Sequence, residues 1–454
     1  MRNLFIFALV FATVPAIFAW PYLGVLAWTW ISFMNPHRLA FGSVGSFPVA
    51  EVVAISTLVA WAISREPKEL PLRPMVIMMI VYFGFTTLTT AFAVNQSLAW
   101  DKWEIFAKVI LFTLVAISLL RSQIRLHALI WVMVASCGYF ALKGGLFTAL
   151  TGGNYLVFGP PGTFHGDNNG IAITFLMLLP LVRYLQMQTD NRFASLSLMG
   201  AQVLILIAIL GTHSRGALVA LIAMFAFMLI RSRHIGLLFL MLISGVVAFN
   251  LMPSEWRDRQ LSTLDYEEDA SAQGRITMWI YAIDVANDHP LLGGGFNVFY
   301  DRDYRMKYLP RKDDGSVVQG LAAHSIYFEV LGEHGYTGLL LFLGLWFLGF
   351  LTAERVRKRC KDRPDLKWAR DLMPMCQASL VAFAVGGAFL NKATFDLYYH
   401  LLAVIIIGEI LVIQALRKPA PETPPVADPI LSYVFPPRLQ RFKPKRDIGQ
   451  KRPT

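Results

Sequence analysis

The sequence predicts an all-α integral membrane protein of about twelve transmembrane helices, with one large outer loop that contains amphipathic helices. Three observations predict it. Of 454 residues, 56% are hydrophobic and only 16% charged, with a mean hydropathy of +0.51, which is too apolar for a soluble chain. Apolar runs recur along the chain at the length a bilayer requires, about 20 residues per helix, because hydrocarbon leaves no backbone group a partner outside the helix. The charge is sorted as well: of a net +11, segment 354–371 holds +4 and the stretch from Arg417 onward holds +6. Both segments adjoin apolar runs and lack the interleaved aromatics of a nucleic-acid surface. They are expected as cytoplasmic segments under the positive-inside rule, with membrane lipid as neighbour and no nucleic-acid partner.

Taken in order, the stretch 3–33 is interrupted by Pro15 and Pro21 and reads as one long broken helix or two short ones, crossing a net once. Its first part imitates a signal peptide, with Arg2 ahead of an apolar run to Ala19, but apolar character continues past Trp20, so no cleavage is expected. Spans are then predicted at 48–64, 75–93, 103–120, 126–149, 169–187, 195–212, 215–231, 234–252, 324–352, 373–390 and 396–416. Arg65, Lys68 and Arg73, then Arg121 and Arg125, then Arg192, then Arg231 and Arg233 follow alternate spans, which puts those loops on the cytoplasmic side. The opposite side receives 34–47, 94–102, 150–168, 211–214, 253–323 and 391–396. The domain organisation is therefore 1–252 with the first nine or ten spans, 253–323 as a loop of net charge −4, 324–416 as the C-terminal spans, and 417–454 as a basic, Pro-rich tail that reads as disordered. Cys137 and Cys376 fall in apolar runs and Cys360 in the basic loop, so neither a disulfide framework nor a metal site is legible, and no cofactor is expected.

Polar groups at the outer ends of spans are the candidates for chemistry, since charge at membrane depth is costly. In Gly211-Thr212-His213-Ser214-Arg215-Gly216 a guanidinium opens an apolar helix. An arginine there opposes the macrodipole, but arginine and free N–H groups together suit a phosphate. The plain alternative is an arginine that snorkels to the interface. In the large loop, Gln273-Gly274-Arg275 leads into Ile276, Trp279, Ile280 and Ile283 at helical spacing and stops at His289-Pro290 before Gly293-Gly294-Gly295. This predicts an amphipathic helix on the membrane surface with Arg275 at its start. The glycines lack the strand and lysine of a phosphate loop. The third motif is His324-Ser325-Ile326-Tyr327, running on to Glu333-His334-Gly335-Tyr336-Thr337-Gly338, where the loop re-enters the membrane. A neutral imidazole at that edge can accept a proton from a hydroxyl, although a lone histidine is more often structural. The topology puts Arg215, Arg275 and His324 on one side: two cations for phosphate charge and one base.

In these motifs the chain resembles the O-antigen ligase and polymerase superfamily. The resemblance rests on Ser214-Arg215-Gly216, on Gly274-Arg275 with Trp279 and His289-Pro290-Leu291-Leu292-Gly293-Gly294-Gly295, and on His324 with Glu333-His334-Gly335-Tyr336-Thr337-Gly338. Upstream, Gly162-Thr163-Phe164-His165-Gly166-Asp167-Asn168-Asn169 looks like the family's outer segment. Ser325 stands where many members have Asn. The amino end, with Trp20-Pro21-Tyr22 and Asn35-Pro36-His37-Arg38, is similar to the subgroup of exosortase-associated O-glycosylation ligases.

The resemblance implies a GT-C-like, metal-independent, inverting glycosyltransferase of the bacterial inner membrane, acting at the periplasmic face in lipopolysaccharide maturation. Its donor would be a glycan on undecaprenyl diphosphate and its acceptor lipid A-core. Arg215 and Arg275 would bind the diphosphate, His324 would be the general base, and Asn169 and Asp396 would contact substrate or, for Asp396, orient the histidine. Polymerisation of the glycan, transfer to a protein hydroxyl, and transport of the lipid-linked oligosaccharide are the competing readings.

Overall fold

A computed structural model of the chain describes residues 2–36, 48–232, 270–309 and 322–419. The expected span at 234–252, the loop stretches 253–269 and 310–321, most of the outer segment 34–47 and the tail from 420 lie outside the described residues. Among those described the chain is helical throughout, with no strand.

The amino end forms two helices. α1 (Arg2–Ala19) keeps Pro15 inside it, and the chain breaks at Trp20 and Pro21 before α2 (Tyr22–Met34). Proline is tolerated there because the amide it lacks would have no helical partner at a helix start. α3 (Val49–Ile63) and α4 (Pro74–Ala91) lie where expected. α5 (Gln96–Leu119) starts ahead of the apolar run, because the Asn95 side chain accepts from the Leu98 N–H and caps the first turn. Asp101 and Lys102 are helical as a result. α6 (Gln123–Leu150), α7 (Asn168–Met187) and α8 (Arg192–Gly211) are capped the same way by Ser122, Asp167 and Asn191. Next come α9 (Arg215–Ser232), the loop helix α10 (Ala270–Asp288), a 3-10 turn at Val298–Tyr300 and the short α11 (Arg302–Arg305). α12 (Ile326–Arg359), α13 (Lys367–Gly387) and α14 (Asp396–Leu416) complete the bundle.

Among the described residues six helices are long and apolar enough to cross a membrane: α4, α6, α7, α8, α12 and α14. α2 and α3 are apolar but shorter, and α5 carries Lys102, Glu104 and Lys108 in its outer half. The chain is a multi-pass membrane protein. α7 and α14 form its centre, with 83% and 72% of their apolar stretches buried, while α8 buries only 28% and lies on the rim. Ile222, Ile230 and Leu340 point outward, as lipid-facing side chains do.

Two differences from the sequence reading shape the site. α10 already runs from Ala270, so Arg275 lies inside the helix and not among the free donors of its first turn. Its packed face is Met278, Tyr281, Ala282 and Val285, gathered with Phe299 and Ala323, whereas Ile276, Ile280 and Ile283 stay exposed. The helix is apolar on both flanks, and which flank packs against α12 is a tertiary choice.

α12 is interrupted at Gly335, whose φ of 65° and ψ of −169° suit glycine almost alone. Near this break the Gly294 and Gly295 N–H groups donate to the carbonyls of Gly332 and Glu333 at 2.9 and 2.8 Å, and the Tyr336 N–H donates to Pro290 at 3.0 Å. The His-Pro and triple-glycine motif is thus the plug of a helix break: a Cβ on Gly335 would lie 2.6 Å from the Pro290 carbonyl oxygen. Gly335→Ala is expected to cost about 1–3 kcal/mol and to lower the thermal unfolding midpoint of the purified protein. Gly84→Ala, at a mid-helix glycine with nothing within 4 Å, is expected to leave that midpoint unchanged or raise it. Equal midpoints for the two variants would contradict this account.

Candidate active site

The outer ends of α7 and α9 are tied together by short polar side chains. The Asp167 carboxylate accepts from the Gly170 N–H at 2.8 Å and starts α7. The two asparagines that follow reach to the turn between α8 and α9. Asn168 donates to the Thr212 carbonyl at 2.9 Å, and the Ser214 hydroxyl donates to Asn169 Oδ1 at 2.7 Å. The same hydroxyl oxygen accepts from the Ala217 N–H at 3.3 Å. His213, in the left-handed region at φ 53°, donates from Nε2 to the Gly153 carbonyl at 2.9 Å. Arg215 is the first residue of α9, as expected. A Cβ on Gly216 would lie 2.9 Å from Phe389, so glycine lets α9 pack against the end of α13. In Ser-Arg-Gly the serine caps, the glycine packs, and the arginine is left at the outer end of the bundle.

α10 packs beside the chain that carries His324. The Trp279 ring stacks on Phe328 at 4.9 Å, and its Nε1–H donates to the Ala323 carbonyl at 2.7 Å. This fixes α10 on the chain entering α12. Arg275 is one turn before Trp279 and therefore on the same helix face. His324 follows Ala323 in the left-handed region at φ 46°, a conformation non-glycine residues adopt at an energetic cost. The imidazole is held below the usual histidine range: surrounding protein displaces part of its water, the Arg275 guanidinium adds repulsion, and Asp167 and Glu329 pull the other way. The ring is still accessible to solvent, so it combines a favoured neutral form with access. His165, by contrast, is buried with Nδ1 2.8 Å from Thr174 Oγ1; burial and Lys392 lower its pKa to about 3.

Asp396 opens α14. It is buried, and its carboxylate accepts from the Ser32 hydroxyl and from the Leu397 N–H. It ties α2 to the start of α14. Asn169 accepts from Ser214, the residue before Arg215.

Sequence reasoning missed a cluster next to the histidine. Lys102 Nζ lies 2.7 Å from Glu329 and 2.7 Å from Glu333, with both carboxylates almost wholly buried. Glu329 also accepts from the Ala393 N–H at 2.9 Å and Glu333 from the Asn297 N–H at 2.9 Å. Lys392 pairs with Asp167 at 3.5 Å. The available signal was the i, i+4 spacing of Glu329 and Glu333, which puts two carboxylates on one face of an apolar helix and so demands a cation. Among the described residues no three His, Cys, Asp or Glu side chains gather as a metal ion would require.

The fold defines a helical, multi-pass membrane protein in which Arg215 opens α9 and the loop helix α10, with Arg275, is fixed beside an accessible His324. Residues 200–343 match the family described as O-Antigen ligase, and residues 1–190 match a family of unknown function. The chain therefore carries a domain of the O-antigen ligase superfamily, whose members are ligase- and polymerase-like glycosyltransferases, and that domain contains Arg215, Arg275 and His324. No curated protein matches the chain.

Removing the ammonium group leaves two buried carboxylates uncompensated. Lys102→Met is expected to destabilise the protein by about 3–5 kcal/mol, whereas Lys108→Met removes a half-exposed partner of Glu51 and Glu104 and is expected to cost about 0–1 kcal/mol. Denaturation midpoints of the two variants decide it; a Lys102→Met midpoint as mild as that of Lys108→Met would show that the cluster is not a buried ion network.

Proposed function

We propose that the protein is an O-antigen ligase: an inverting, metal-independent glycosyltransferase of the bacterial inner membrane that moves a glycan from undecaprenyl diphosphate to lipid A-core at the periplasmic face. The observation that supports it most is the juxtaposition of His324 with Arg275 through the Trp279 and Ala323 contact, at the end of the bundle where Arg215 opens α9.

In this reading Arg215 and Arg275 hold the diphosphate and offset the negative charge that grows as the bond from the anomeric carbon to the phosphate oxygen breaks. The acceptor hydroxyl attacks the anomeric carbon from the opposite face, and its proton passes to His324. Asn169 and Ser214 keep Arg215 in place. Much of the acceleration comes from holding donor and acceptor in line, because a diphosphate is already a good leaving group.

The test is purified protein with a labelled undecaprenyl diphosphate glycan, scored for transfer to lipid A-core, to glycan and to protein. His324→Ala is expected to lower the rate by about 10²–10⁴-fold, and Arg215→Ala by about 10²-fold or more. Wild-type rates in either variant would sink the mechanism, and loss of transfer on adding a chelator would sink its metal independence. The pH dependence has a defined sign. A base works when unprotonated, and the His324 ring binds its proton more weakly than an ordinary histidine of pKa about 6.5. The rate is therefore expected to hold through neutral pH and to fall only below that value; an acid limb above pH 7 would contradict the assignment.

A further inference from the structure

At the start of α12 lies a cavity of about 250 Å³, walled by α5, the segment before α7, the loop around Val298–Tyr300, α12 at Glu329 and the segment before α14. It is smaller than the roughly 300–1,000 Å³ of drug-sized sites, a size for one sugar ring and not for a lipid chain. Its wall reaches the turn that follows His324, because Glu329, whose N–H donates to the Ser325 carbonyl at 2.8 Å, lines it. Glu329 lines the cavity, and Asp167 pairs with Lys392, which lines it too; both carboxylates influence the His324 ring.

Its chemistry differs from that of the arginine pair. Lys102 is already committed to Glu329 and Glu333, and Lys392 to Asp167. With Asp101 on the wall, four carboxylates stand against two ammonium groups, so a phosphate is disfavoured and a neutral or amino sugar is not. Hydroxyl donors find ready acceptors there. Asn391 Oδ1 is buried without a hydrogen-bond partner among the described residues, an acceptor that costs free energy until a donor arrives. Tyr300 is 49% exposed and supplies an aromatic face.

We infer that this cavity is the acceptor subsite, seating one uncharged or amino sugar so that its hydroxyl meets His324, with Asn391, Tyr300 and the carboxylate of Asp101 as its specificity-determining groups. The inference rests on the glycosyltransferase reading above and adds to it a division of labour: the diphosphate belongs to the arginines, and the reacting sugar to an acidic pocket.

The experiment uses the full chain in nanodiscs, with labelled undecaprenyl diphosphate glycan as donor and lipid A-core as acceptor. Asn391→Ala and Tyr300→Ala are expected to raise the acceptor KM about tenfold each, the equivalent of one or two lost hydrogen bonds, while the donor KM stays at its wild-type value. An unchanged acceptor KM, or a matched rise in both constants, overturns the inference. If the wild type transfers nothing, the glycosyltransferase reading fails, and the cavity is then read directly. Cys137, Cys360 and Cys376 are all buried, so Tyr300→Cys provides the one accessible thiol. Core oligosaccharide released from lipid A and dephosphorylated is expected to slow its labelling by a water-soluble maleimide. Equal labelling with and without the sugar, or better protection by inorganic phosphate, overturns the subsite.

Discussion

One ammonium group between two carboxylates organises the outer end of this bundle. Lys102 comes from α5, whereas Glu329 and Glu333 come from consecutive turns of α12. Each carboxylate also takes a backbone N–H from another segment, Ala393 ahead of α14 and Asn297 after the triple glycine. Four parts of the chain far apart in sequence thus share one buried network. Ions so placed are costly unless every lone pair is used, and here the use of each lone pair ties in another segment. His324 is within two turns of this network, which accounts for a left-handed residue being held at the mouth of a helix.

The break at Gly335 is the second constraint, and it meets the first. The Gly332 and Glu333 carbonyls that take the Gly294 and Gly295 amides belong to the turn whose Glu333 side chain reaches Lys102. Consequently the loop after α10 is locked to α12 by backbone and side chain together. The loop helix cannot shift without disturbing the ion network, and Arg275 is carried on that helix. The proposed glycosyl transfer would gain from this rigidity, since orientation is a large part of the acceleration in such reactions.

Several readings made from residues alone survive contact with the structure because they depend on local physics. Arg215 opens α9 as expected, and α3 and α4 form on the apolar runs that predicted them, whereas the caps at Asn95, Ser122, Asp167 and Asn191 are seen in the structure. Others needed the third dimension. The apolar stripe of α10 was legible, but its packed side was not, because Ile276, Ile280 and Ile283 are as hydrophobic as the Met278, Tyr281 and Val285 that are buried. Asp396 read as a candidate for substrate, yet its partner Ser32 lies at the other end of the chain. Lys102 was visible as a charge in an apolar setting, but two carboxylates more than two hundred residues away gave it a role.

The sequence by itself determined that this chain is a multi-pass membrane protein and where many of its apolar helices lie. Those conclusions follow from the cost of charge and unpaired backbone in hydrocarbon, and that cost acts residue by residue. Only the tertiary structure decided that α10 is fixed beside His324 through Trp279 and Ala323, that the glycines plug a helix break, and that Glu329, in the turn after His324, lines a cavity. Those outcomes depend on pairings between distant segments, for which one-dimensional spacing has no signal.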